Sequence, residues 1–128
     1  GIKRKLVDVN DLENIHENMT TALLEKGVEI LDIYYCPHFF DDYCDCRKPE
    51  PGMFYNASSD WFLKLDETLY IGDAISDVKA AYNAGTKSIF LGDIEDLEEL
   101  SEFQMPIKIS NRLTECIPTI LKYFKKDY

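Results

Sequence analysis

Thr68-Leu69-Tyr70-Ile71-Gly72-Asp73-Ala74-Ile75-Ser76-Asp77 is the stretch that decides the fold. Its apolar run, Thr68 to Ile71, is short and stops at Gly72-Asp73, the pattern of a fully buried parallel strand. Asp77 to Ala84 follows with helical spacing and is stopped by Gly85, and Ser88 to Leu91 reads as the next strand. Strand, helix and strand in succession mean an α/β fold with a parallel sheet. Ligand sites in such sheets lie at the carboxyl ends of the strands. Asp73 stands at that end, where a carboxylate is well placed to hold Mg²⁺ beside a phosphate. Asp77 opens the next helix; it either caps that helix or supports the metal from behind its ligand.

Upstream, Asp8 to Lys26 has apolar residues at Val9, Leu12, Ile15, Met19, Ala22 and Leu23, close to helical spacing, with Gly27 as the stop. Val28 to Tyr35 reads as a strand, Cys36 to Gly52 as a loop, and a helix runs from near Pro51 to about Lys64. Downstream, Ile94 to Glu102 reads as a short acidic helix, Pro106 to Ile109 as a last strand and Leu113 to Lys125 as a closing helix. No repeat, low-complexity tract or Gly/Ser linker interrupts the chain, so residues 1–128 read as a single domain.

Composition excludes several classes. The 128 residues are 45% hydrophobic and 30% charged, a globular balance large enough for a real core. The net charge of −10 repels nucleic acid and anionic lipid, so neither is an expected partner. A phosphate-bearing substrate must then be met by a local basic cluster or a metal ion. No apolar run is long enough for a membrane span, and no apolar stretch follows Gly1-Ile2-Lys3-Arg4-Lys5, so no secretory leader is expected. The acidic run Asp93, Glu95, Asp96, Glu98, Glu99 and Glu102 reads as a solvated face. Trp61 and Phe62 read as core, His16 as polar surface, and Cys116 as a buried free thiol.

Cys36-Pro37-His38, five further residues, then Cys44-Asp45-Cys46 cluster three of the four cysteines beside a histidine. That clustering favours a metal over a disulfide framework, and a reducing, cytoplasmic setting. A Cys3His set closes a zinc tetrahedron with no open position, which makes it structural; iron–sulfur ligation is less natural at this spacing. Arg47-Lys48 follows at once. It reads either as a phosphate contact, with a bidentate fork and a point charge, or as two solvated surface charges.

Together these strings resemble the haloacid-dehalogenase-type phosphatases. The resemblance rests on Cys36-Pro-His38-x5-Cys44-Asp-Cys46-Arg47-Lys48-Pro49-x-Pro51-Gly52-Met53 and on Ile71-Gly-Asp73-x3-Asp77-x2-Ala80-Ala81-x2-Ala84-Gly85. Within that family the chain is similar to the D-glycero-D-manno-heptose 1,7-bisphosphate 7-phosphatases, and next to the histidinol-phosphate phosphatases, which share the zinc loop. The resemblance implies part of a three-layer Rossmann-like fold, the C-terminal part of a phosphatase domain, with a zinc-binding loop at 36–46. It implies hydrolysis of a small-molecule phosphate ester through an aspartyl-phosphate, with Mg²⁺ offsetting developing charge. In that scheme Asp73 is the Mg²⁺ ligand, Lys48 stabilises the nucleophile and the phosphoryl group, and Arg47 contacts substrate. Cys36, His38, Cys44 and Cys46 hold zinc and shape the loop that presents the basic pair.

The chain also departs from the pattern. The family's nucleophile lies in an Asp-x-Asp followed by Gly-Thr, and none stands near this N-terminus; Asp8 and Asp93 follow no suitable strand. Gly1-Ile2 resembles the tail of the family's second motif, with Arg4 matching an arginine that commonly follows. Ala74 occupies the place where heptose phosphatases carry a lysine. The expectation is a chain inactive alone, with an open sheet edge completed by a preceding segment or a second chain, or else a non-catalytic zinc-stabilised remnant. For the zinc loop, elemental analysis should find one zinc ion per chain, and Cys44→Ser should lower that content and the thermal stability together.

Overall fold

The computed structural model describes residues 9–35 and 47–125, which fall into two compact units, 1–47 and 48–128. In the first unit, helix α1 spans Val9–Glu25. Gly27 ends it with a positive φ of 84°, and Val28 N–H returns to Leu23 O at 2.9 Å. His16 is half-buried on α1, its ring 6.0 Å from that of Tyr35. The strand expected over 28–35 is not formed. These residues pair with no strand among the described residues, and Val28, Leu31 and Tyr35 are exposed. A β-branched and aromatic run becomes a strand only when a neighbour completes its ladder.

The second unit carries the sheet. Helix α2 (Gly52–Trp61) begins after Pro51 and is ended by Phe62, whose φ of 56° turns the chain out of the helix. Leu63 N–H reaches back to Ser58 O at 3.1 Å, and the Ser58 hydroxyl donates to Leu63 O at 2.8 Å. Then come β1 (Leu69–Gly72), α3 (Ile75–Ala84), β2 (Lys87–Leu91), β3 (Lys108–Ser110) and α4 (Ile117–Tyr123). The strands form a parallel sheet in the order β1-β2-β3, with Gly72 opposite Phe90 and Leu91 opposite Ser110. Gly85 ends α3 at φ 78°; its N–H bonds Tyr82 O at 3.0 Å and Thr86 N–H bonds Ala81 O at 2.8 Å. This paired closure satisfies carbonyls that the last helical turn leaves without partners.

β2 is the buried centre. Ile89 and Phe90 point to opposite faces of the sheet and both are fully buried, so β2 is covered on both sides. Phe90 packs with Val78 of α3 and Leu97, while Ile75, Leu100, Met105 and Ile109 close around them. Ala80 and Ala81 are wholly buried, and their small side chains let α3 lie close to the sheet. Cys116 is a buried free thiol, as expected.

Four further expectations need correction. β1 is an edge of this sheet rather than a fully buried strand, and Ile71 is 37% exposed. The acidic segment forms two 3₁₀ turns, Ile94–Leu97 and Glu102–Gln104, instead of one helix. Like charges at helical neighbours such as Glu95 and Glu99 oppose a helix there, while the turns bury Leu97 and leave the carboxylates in water. The closing helix begins only at Ile117, behind a 3₁₀ turn at Leu113–Cys116. Pro118 has no N–H and fits only a first helical turn, which sets that start. Finally, Trp61 and Phe62 are surface residues, with Phe62 91% exposed.

Phe62 therefore holds a left-handed conformation that its side chain disfavours, and its ring is almost wholly in solvent. Replacing it by glycine removes the strain at little cost in packing. Phe62→Gly should raise the urea midpoint, by about 0.5–1 kcal/mol of stability, with an unchanged slope.

Candidate active site

The site is built on the turn from β1 to α3. β1 delivers Asp73 to the carboxyl edge of the sheet, and Asp77 lies one turn into α3. The Asp77 side chain folds back over the turn. Its Oδ2 accepts the backbone N–H groups of Asp73 and Ala74, each at 3.0 Å. Its Oδ1 accepts the Tyr70 hydroxyl at 3.1 Å and the Lys48 ammonium. Two donors on each oxygen use the full ordinary capacity of a carboxylate.

Gly72 makes this possible. A Cβ on residue 72 would stand 2.5 Å from both Cβ and Cγ of Asp77, closer than any packed atoms tolerate. The glycine before Asp73 is thus required by the carboxylate four residues after it.

Asp77 is 3% exposed and charged. Burial alone would raise its carboxyl pKa. The hydrogen bonds from Lys48, Ala74 and Tyr70, with the Lys48 charge, outweigh burial and hold the group below its ordinary 3.8. Tyr70 moves the other way. Burial, then the Asp77 charge and hydrogen bond, and then the Asp73 charge push its hydroxyl from 10.0 to about 12, so it stays a donor.

Lys48 is anchored from outside the turn. Asn83, near the end of α3, donates Nδ2 to Pro49 O at 3.0 Å, and the Tyr55 hydroxyl donates to Asn83 O at 3.3 Å. The segment entering α2 is thereby fixed to α3, with the Lys48 side chain about one-third exposed beside a buried anion.

Of the sequence-predicted site residues, Lys48, Asp73 and Asp77 come together at this turn. Asp77 serves as a cap for α3 and as the partner of Lys48. With both oxygens filled it has no lone pair left to ligate a metal directly, and its bond to the Asp73 N–H is compatible with capping and with supporting Asp73 from behind alike. Asp73 differs: its side chain is exposed and accepts no hydrogen bond among the described residues. A carboxylate with open lone pairs at the strand's end fits Mg²⁺, which takes one or two carboxylates and fills its shell with water and phosphate oxygen. Arg47, the last residue of the first unit, is partly buried. Cys36, His38, Cys44 and Cys46 lie outside the described residues. Sequence reasoning missed Tyr70 and Asn83; a strand pattern does not signal that Tyr70 reaches across the turn to Asp77, and a helix turn does not signal that Asn83 reaches Pro49, 34 residues back.

The fold and this turn define a class, an α/β domain that presents a lysine and a carboxylate at the carboxyl edge of a parallel sheet. Residues 45–116 match the HAD-hydrolase-like family, and the chain belongs to that family. It is 41% identical over 81 residues to a D-glycero-beta-D-manno-heptose-1,7-bisphosphate 7-phosphatase of Pseudomonas aeruginosa, covering 63% of this chain and 46% of that protein. It is 41% identical over 98 residues to a D-glycero-alpha-D-manno-heptose-1,7-bisphosphate 7-phosphatase of Photorhabdus laumondii, covering 71% and 54%. The chain thus spans about half the length of the curated relatives it matches. A crystal structure of D,D-heptose 1,7-bisphosphate phosphatase from B. bronchiseptica, complexed with magnesium and phosphate, superposes with a TM-score of 0.82 at 31% identity. That match covers 95% of this chain and 69% of the other.

Removing the Asp77 carboxylate leaves two backbone donors, the Tyr70 hydroxyl and an ammonium without their partner. Asp77→Ala should cost about 2–3 kcal/mol by denaturant unfolding, less than for a wholly buried pair because Lys48 is partly in water. The sign with pH follows from the lowered pKa. The stabilisation is complete above 3.8 and is lost as pH falls through the lower folded-state value, so wild type and Asp77→Asn should converge in strong acid. Gly72→Ala should cost at least about 2 kcal/mol by overpacking.

Proposed function

We propose that this chain supplies the phosphate-holding half of a Mg²⁺-dependent phosphatase that acts on a sugar phosphate of the heptose 1,7-bisphosphate kind. The observation that carries the reading is the pairing of an anchored Lys48 with a carboxylate turn that leaves Asp73 open to a metal. Residues 1–128 are read as one part of a haloacid-dehalogenase-type domain, in a reducing cytoplasmic setting that suits a thiol-rich loop.

In this reading the ester's phosphoryl group sits at the carboxyl edge of β1. Lys48 keeps one N–H on Asp77 and offers the others to phosphoryl oxygens. Asp73 would hold the metal, which supplies charge compensation at the phosphoryl oxygens. Arg47 contacts the substrate, and a zinc ion on Cys36, His38, Cys44 and Cys46 stiffens the loop before it. The N-terminus of α3 adds a favourable field for an anion. The attacking carboxylate, which forms the aspartyl-phosphate, is assigned to no residue of this chain. It belongs at the open side of β1, on a preceding segment or a second chain. Relatives named for both the α and the β anomer resemble the chain at the same 41% identity, so the anomer is left open by the likeness.

The test has two parts. Calorimetry should show orthophosphate binding that depends on Mg²⁺ and is lost in Lys48→Ala and in Asp73→Asn. A phosphate-release assay on heptose 1,7-bisphosphate and histidinol phosphate should show no turnover by the 128 residues alone. Turnover abolished by Asp73→Asn would instead place the nucleophile within this chain. Absence of Mg²⁺-dependent phosphate binding would favour the non-catalytic zinc-stabilised module.

A further inference from the structure

Two donors converge on one oxygen of Asp77, and only one of them has a place in the reading above. Tyr70 projects from β1 with its ring edge-on to that of Phe54 on α2, the ring centroids 4.8 Å apart at 60°. That contact fixes where the hydroxyl sits. It donates to Asp77 Oδ1 at 3.1 Å, on the same oxygen that takes the Lys48 ammonium. A carboxylate oxygen has two lone-pair directions. With the hydroxyl in one, the ammonium is confined to the other. Asp77 Oδ2 offers no alternative seat, since the N–H groups of Asp73 and Ala74 occupy it.

We infer that Tyr70 is a positioning residue for Lys48: by occupying one side of Asp77 Oδ1 it fixes the direction in which the ammonium presents its free N–H groups to an anion. This rests on the reading of Lys48 as a phosphate contact. Lys48 sits on a flexible four-carbon stem, and an ammonium rotates freely, so its bond to Asp77 alone gives no orientation. The orientation comes from the second donor. The hydroxyl remains protonated across the working range, so it acts as a constant wedge and not as an acid or a base.

Tyr70→Phe tests this by deleting one O–H while keeping the ring and its contact with Phe54. The first readout is the Lys48 Nζ ¹H–¹⁵N resonance of the 128-residue chain. It should shift and broaden in Tyr70→Phe and stay unchanged in Tyr82→Phe, whose exposed ring lies elsewhere on α3. The second is orthophosphate affinity with Mg²⁺ present, which should weaken about fivefold, the usual worth of one positioning hydrogen bond. A Lys48 resonance identical in wild type and Tyr70→Phe would overturn the inference. Wild type that binds no phosphate would overturn the proposed function, while the Lys48 resonance would still decide the role of Tyr70. Where Tyr70→Phe fails to fold, difluorotyrosine placed at residue 70 keeps the ring and strengthens the donor. It should then move the Lys48 resonance, and no movement would overturn the inference.

Discussion

A single buried anion organises the second unit. The Asp77 carboxylate is out of water, and a charge there is tolerated only when its lone pairs are filled. Four donors from three places fill them: two backbone amides of the β1–α3 turn, a phenol from β1 and an ammonium from the segment entering α2. The glycine at 72, the path of the turn and the approach of Lys48 all follow from that demand. The exposed Asp73 beside it is held by its backbone alone, which leaves its side chain free for chemistry.

The core obeys the same economy of space. Small residues stand where elements approach closely, as Ala80 and Ala81 do on α3, and bulky ones fill the remainder, as Phe90 does on β2. Gly92 shows how tight the fit is, since a Cβ there would meet the Phe90 ring at 2.7 Å. Gly72, the last residue of β1, and Gly92, the first after β2, are both glycines for steric reasons and not for backbone freedom. One yields to a carboxylate and the other to an aromatic ring.

The parallel α/β class was legible because residues 68–91 carry three independent signals in order: an apolar run, a helical period closed by Gly85, and a second apolar run. Lys48, Asp73 and Asp77 were legible from their chemistry and their place relative to that pattern. What was not legible depends on the folded arrangement rather than on local pattern. Val28–Tyr35 has strand-forming side chains, yet pairing requires a partner. Trp61 and Phe62 have core-forming side chains, yet the helix ends beneath them and turns them outward. Tyr70 alternates in its strand like any other residue, and only the folded turn brings its hydroxyl to Asp77.

Lys48 and Asp77 are 29 residues apart, and Asn83 and Pro49 are 34 apart. The anion-binding turn is therefore not a local motif in the kinetic sense. Its carboxylate belongs to a short βα unit held by local contacts, whereas its counter-charge sits on a segment that α2 and β1 separate from it along the chain. Without that segment the unit's buried carboxylate keeps three donors but no counter-charge. Any excursion that lifts α2 away leaves it in that state, so the occupancy of the site and the local stability of α2 rise and fall together.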